Sequence, residues 1–200
     1  MSESTLRAIV GLGNPGPEHS RTRHNAGFWF VDALAQSCEA QFRSESKFGG
    51  ELAKTTLAGA SVMLFKPLTY MNRSGEAVVK LTQYFKIAPE EVLVAHDELD
   101  LPAGAARLKQ GGGHGGHNGL RSLHEHIGEN YLRLRIGIAH PGAKEKVLGH
   151  VLGRPDATDE ERMLDAIKRS LDVLPVLMND GLQRAMNRLH IKGTPDDSEK

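Results

Sequence analysis

The chain has 200 residues, 25 Lys+Arg against 25 Asp+Glu, ten His and 39% apolar residues. That length and mixture give one globular domain with a core large enough to need no disulfide or metal staple. They exclude a disordered chain, a membrane span (no window holds 18 apolar residues) and a protein that coats nucleic acid by net charge, although a local basic patch remains open.

The single Cys38 and the absence of a basic stretch followed by an apolar one at the start point to a reducing compartment without secretion. Residues 6–12 form a short apolar run expected as a buried strand, followed by a Gly- and Pro-rich loop to about Asn25. Segment 26–40 is expected as a helix that buries Phe28, Val31, Leu34, Ala35 and Cys38. Residues 51–58 and 61–66 read as two strands joined at Ala58-Gly59-Ala60. Ser74 is expected to cap a helix burying Val78, Leu81 and Phe85. Strands follow at 92–96 and 105–109, then a short helix capped by Asn118. Residues 132–140 alternate Leu/Ile with Arg/Gly as a strand does. From about Asp159 to His190 the pattern is helical, with breaks expected at Pro175 and Gly181. Strands alternating with helices give an α/β layered domain.

Gly11-Leu12-Gly13-Asn14-Pro15-Gly16 fits the dinucleotide fingerprint and follows a strand. The fingerprint needs a helix to open at the glycines, so that its N–H groups meet the pyrophosphate. Pro15 and Pro17 each remove an N–H, and the next convincing helix begins about ten residues on, so the segment reads as a loop. The nucleophile elbow, the P-loop and the H-E-x-x-H zinc motif are all absent. A metal site would need His114 and His117 plus a third ligand, Asp97 or His96.

Three loops carry the polar chemistry. They contain Asn14 and His24, then Met71 and Asn72, then Asp97 together with the glycine-rich stretch and Asn118. Each is expected to leave the C-terminal end of a strand, which gathers them at one edge of the sheet. A His beside a carboxylate is an oriented general base, and neutral amides stabilise an oxyanion without adding charge. With no serine or cysteine nucleophile in a motif, that set suits attack by water on a reactive ester. Six of the nine residues from Gly111 to Gly119 are glycine. Residues 103–135 carry net charge +3 after a stretch, 86–102, of net −4, so a basic zone lies beside the acidic loop and suits a phosphate-rich substrate.

The motifs VGLGNPG, TRHNAG, KPLTYMNRSG, VAHDELDLP, GGGHGGHNGL and LRLRIGIAHPG, in this order and spacing, resemble those of bacterial peptidyl-tRNA hydrolases over roughly residues 6–190. The resemblance implies a single three-layer α/β/α domain with a mixed twisted sheet, spanning 1–192, and a flexible tail at 193–200. It implies hydrolysis of the ester between a peptide and the 3′ ribose of tRNA, which recycles tRNA from chains that drop off the ribosome. It further implies a cytoplasmic monomer with no metal, cofactor, membrane or obligate protein partner. His24 matches the catalytic base, Asp97 its supporting carboxylate and Asn14 the amide beside them. Asn72 and Asn118 match amides that hold the peptide backbone and water, and Met71 the residue packed against the peptide end. Lys109 and Arg135 match basic positions that grip tRNA phosphates, with Arg133 on the same strand face as a neighbouring candidate. His19 occupies a substrate-side position where the family usually carries tyrosine. Two other readings compete: a non-catalytic RNA-binding module on the same scaffold, and a metal-dependent hydrolase built on His114 and His117.

Overall fold

A computed structural model describes residues 5–191; the tail proposed at 193–200 lies outside the described residues. Seven strands form one mixed sheet: β1 (Ala8–Gly11), β2 (Arg43–Glu45), β3 (Gly50–Leu57), β4 (Ala60–Pro67), β5 (Val92–Glu98), β6 (Ala106–Gln110) and β7 (Leu132–Gly137). Their order is β2-β3-β4-β1-β5-β7-β6. The four inner strands β4, β1, β5 and β7 run parallel, while β2, β3 and β6 are antiparallel to their neighbours. The α/β reading and the mixed sheet therefore hold. Strands β1 and β5 are buried on both faces, which is why they read as continuous apolar runs.

Helices cover both faces. On one lie α1 (Ala26–Ser37), α5 (Ala157–Asp180) and α6 (Leu182–Ile191), packed on Ile9, Leu93, Leu134 and Ile136. On the other lie α2 (Ser74–Phe85) and α3 (Asn118–Ile127), packed on Val10, Phe65 and Val94. In α1 the buried face includes Phe30, and Cys38 sits just past the helix end, half-buried. Pro175 does not break α5; the break comes at Gly181, where φ is +87° and the chain turns into α6. A short helix, α4 (Val147–Val151), and strand β2 were not expected from the pattern.

Two expected caps are corrected. The first residue of α2 is Ser74, whose hydroxyl donates back to the Met71 carbonyl at 2.8 Å instead of capping. In α3 the capping side chain is His117, not Asn118: its Nδ1 accepts from the N–H groups of Gly119 and Leu120 at 3.1 and 3.3 Å. The segment after Gly11 opens no helix until the turn at Arg23, so a dinucleotide cradle is absent there.

Helix α1 approaches the sheet at Gly27. A Cβ there would sit 2.3 Å from the Ala95 carbonyl oxygen and 2.5 Å from the Leu12 nitrogen. Both are backbone atoms, so the helix and sheet would have to move apart. Gly27→Ala is expected to destabilise the fold by about 1–3 kcal/mol, read as a lowered denaturant midpoint. It should also lower activity, because His24 and Asp97 lie within a few residues of the two surfaces it separates.

Candidate active site

Three loops leave the C-terminal ends of β1, β4 and β5 and meet at one sheet edge, as the apolar runs and the loop compositions predict. The glycine-rich loop does not start there. Strand β6 is antiparallel to β7, and Gln110 pairs with Leu132 at the start of β7. Asp97 pairs with Ile136, four residues further along. Residues 111–117 therefore travel roughly 13 Å across the sheet face, at about 3.3 Å per strand residue, before His117 reaches Asp97.

The loops enclose a cavity of about 910 Å³, within the upper range for small-molecule sites. Asn14, His24, Asp97, Met71, Asn72 and Asn118 all line it. His24 sits in a 3-10 turn (Arg23–Asn25), buried at 9% exposure. Its Nδ1 lies 3.0 Å from both Asp97 oxygens, and its Nε2 has no partner among the described residues and is not sealed from the cavity. The Nδ1–H thus donates to the carboxylate, and Nε2 presents its lone pair.

Asp97 is held from a second side. His117 Nε2 lies 2.8 Å from Asp97 Oδ1, and the two imidazoles have centroids 5.0 Å apart. Because His117 Nδ1 is the acceptor that caps α3, the ring proton sits on Nε2 and is donated to Asp97. Sequence reasoning considered His117 only as a metal ligand; its proximity to Asp97 depends on a long-range chain path.

Burial disfavours the charged form of His24, but the Asp97 charge and hydrogen bond outweigh it and raise the imidazole pKa above its usual value. Burial would push the Asp97 carboxyl up; the His24 and His117 rings beside it win and hold it well below the usual carboxylate range. His96, fully buried, is pushed down to about 3, chiefly by burial and then by His117, and is neutral. Its Nδ1 donates to the Asp97 carbonyl at 2.8 Å.

Asn14 is fixed at three points. Its Oδ1 accepts the Met71 N–H at 2.7 Å, and its own backbone is clamped by the Asn25 amide at 2.8 and 3.0 Å. Only a carbonyl oxygen accepts, so Nδ2 is left as a donor at the cavity. Asn25, which the sequence reading passed over, was marked only by its place next to His24. Asn72 and Asn118 are exposed on the lining, and neither side chain hydrogen-bonds another described residue. Met71 is buried, its sulfur against Gly119 and Ser74. An apolar wall faces this polar end, made by Leu99, Tyr70 and the α4 residues Val147, Leu148 and Val151.

Not every expected residue joins the cavity. His19 lies outside its lining, half-buried, with Nε2 3.8 Å from Glu18. Lys109 and Arg135 share a smaller neighbouring cavity of about 230 Å³, with Lys109 exposed and Arg135 paired to Glu98 at 2.6 Å. Arg133 lines that same cavity but offers little surface to a phosphate. Only 3% exposed, it spends its guanidinium on the Gly112 and Gly113 carbonyls.

A metal set of His114 and His117 is also corrected. His114 Nδ1 accepts the Gly116 N–H, and among the described residues the three side chains whose ligand atoms fall within 4.8 Å of one another are His24, Asp97 and His117. A metal on His117 Nε2 would need the lone pair of an atom that carries the proton, so binding there would cost the α3 cap.

Comparison with known proteins bears on what this arrangement serves. The peptidyl-tRNA hydrolase family profile matches residues 8–198. A peptidyl-tRNA hydrolase of Edwardsiella ictaluri is 54% identical over 188 residues, 93% of this chain and 96% of that one. One from Neisseria meningitidis is 49% identical, covering 94% of this chain and 99% of its own. The crystal structure of peptidyl-tRNA hydrolase from Acinetobacter baumannii superposes with a TM-score of 0.93 at 48% identity, covering 98% of this chain and all of that chain.

Proposed function

The chain belongs to the peptidyl-tRNA hydrolase family, and from that premise we propose how its residues act on peptidyl-tRNA. The reaction is hydrolysis of the ester between the peptide and the 3′ ribose of tRNA. Water bound near His24 Nε2 loses a proton to that nitrogen as it attacks the ester carbonyl. Asp97 keeps the ring in the Nδ1–H tautomer and stabilises the imidazolium that forms. Amide donors at the cavity, Asn14 Nδ2 first, receive the charge developing on the carbonyl oxygen. Asn72 and Asn118 hold the peptide backbone, with Met71 packed beneath it. Collapse of the tetrahedral intermediate expels the ribose oxygen, which takes the proton back from His24.

The observation that carries this reading is the bond from His24 Nδ1 to a carboxylate, with Nε2 left open to the cavity. A non-catalytic RNA-binding module has no use for that arrangement. Lys109 and Arg135 lie beside the cavity, where cationic groups serve a tRNA backbone. The chain acts as a cytoplasmic monomer without metal or cofactor, over one domain of residues 1–192; among the described residues no helix is long and apolar enough to cross a membrane.

The testing experiment is release of N-acetyl-amino acid from N-acetyl-aminoacyl-tRNA, with and without EDTA at constant ionic strength. Release undiminished by EDTA is expected. So is a preference for the blocked substrate over free aminoacyl-tRNA, because neutral amides do not compensate a buried ammonium. Bound tRNA without release would restore the RNA-binding module, and release abolished by EDTA the metal reading.

A further inference from the structure

Arg133 is a charged side chain at 3% exposure with no carboxylate in salt-bridge distance among the described residues. One guanidinium nitrogen donates to the Gly113 carbonyl at 2.6 Å. The other donates to the Gly112 carbonyl and lies 3.0 Å from His124 Nε2. The group stacks over the Tyr131 ring, 4.9 Å from its centroid. A buried cation compensated only by carbonyls, an imidazole and a ring face is a costly choice where an apolar side chain would pack. The guanidinium alone can hold two successive carbonyls and a helix side chain at one point.

Those carbonyls belong to the segment that must cross the sheet face to deliver His117. Gly111, Gly112, Gly115 and Gly116 all have positive φ, and a Cβ at Gly113, Gly115 or Gly116 would meet nothing within 4 Å. Between the Gly113 carbonyl and His117 the glycines have open space on their Cβ side, and His114 packs its ring 5.7 Å, centroid to centroid, from His124, the same side chain that Arg133 holds.

We propose that Arg133 is a positioning residue: it straps the glycine segment to β7 and α3 and so holds His117 against Asp97. This rests on the reading of His24 and Asp97 as the catalytic pair. It assigns Arg133 a different task from Lys109 and Arg135, although alternation places all three on one face.

Arg133→Met and Arg133→Lys separate the two tasks, with Lys109→Ala as comparator. Each is assayed for kcat and KM on N-acetyl-aminoacyl-tRNA across a salt series, and for amide hydrogen exchange over residues 111–117. Arg133→Met is expected to lower kcat about 10- to 100-fold, to leave KM and its salt dependence close to wild type, and to speed exchange in the segment. Arg133→Lys recovers only part of the loss, since one ammonium cannot span both carbonyls and the imidazole. Lys109→Ala instead raises KM and flattens its salt dependence. The proposal is overturned if Arg133→Met mimics Lys109→Ala, or if exchange over 111–117 is unchanged. Should Arg133→Met not fold, unchanged exchange in the folded Arg133→Lys variant overturns it equally. His24→Ala run in parallel tests the catalytic pair; if it keeps full activity that reading fails, and the exchange data still decide the strap.

Discussion

His24→Ala is expected to lower kcat by roughly 10²–10⁴-fold, the range for loss of a general base, while tRNA affinity stays within a few-fold of wild type. Among the described residues that line the cavity, the imidazole is the only group whose basic nitrogen is both unpartnered and backed by a carboxylate. The basic side chains proposed to meet tRNA, Lys109 and Arg135, line the smaller neighbouring cavity and are untouched by the change. Single-turnover release, paired with a tRNA binding titration, separates the two quantities. Parallel loss of binding would mean that His24 supports the fold or the grip rather than the chemistry.

Asp97→Asn carries the second large effect, a fall in kcat of similar size, roughly 10²–10⁴-fold. One carboxylate accepts from two imidazoles. An asparagine oxygen can still accept, but its NH2 must then face some other acceptor, and His24 is free to flip to the tautomer with Nε2–H, which cannot take a proton from water. Stability should fall too. The carboxyl is depressed in the folded state, so its contribution is present above the unfolded value of about 4 and is lost as pH falls through the folded pKa. The His24 contribution has the opposite sign: its pKa is raised, so it is fully present below about 6.5 and is lost as pH rises through the folded pKa. The pair therefore stabilises most between roughly pH 4 and 6.5. A denaturant series across pH should show wild type losing its advantage over Asp97→Asn toward acid.

The parts of this site that could be read from sequence were those with local signatures. Apolar runs ending in Asn-Pro-Gly, Pro-Leu-Thr-Tyr and Asp-Glu-Leu-Asp mark buried parallel strands whose polar loops must share an edge, and they do. His24, Asp97 and Asn14 came to one place on that logic, and the ordered motifs identified the family. What stayed hidden depends on pairings that no local pattern encodes. Strand β6 reads as a strand in either direction, so nothing showed that the glycine segment begins at the far edge. Arg133 and Arg135 alternate identically, yet one gives its two terminal guanidinium nitrogens to carbonyls from across the face and leaves its Nε buried without a partner, while the other pairs with Glu98. Asn is the commoner cap by propensity, and His117 displaced it because its other nitrogen had a carboxylate to reach. Five-residue α4, which supplies the apolar wall, is too short to show a helical period.

In the proposed mechanism Asp97 holds His24 with its proton on Nδ1 and a raised pKa, leaving Nε2 to accept from water. Nitrogen-15 NMR of the histidine rings in free wild-type protein, with the His24 signals identified by their loss in His24→Ala, reads tautomer and titration together. That mechanism requires an Nδ1–H tautomer at high pH and a midpoint above 6.5 that moves down in Asp97→Asn. An Nε2–H tautomer, or a midpoint at or below 6.5 that Asp97→Asn leaves in place, would contradict it.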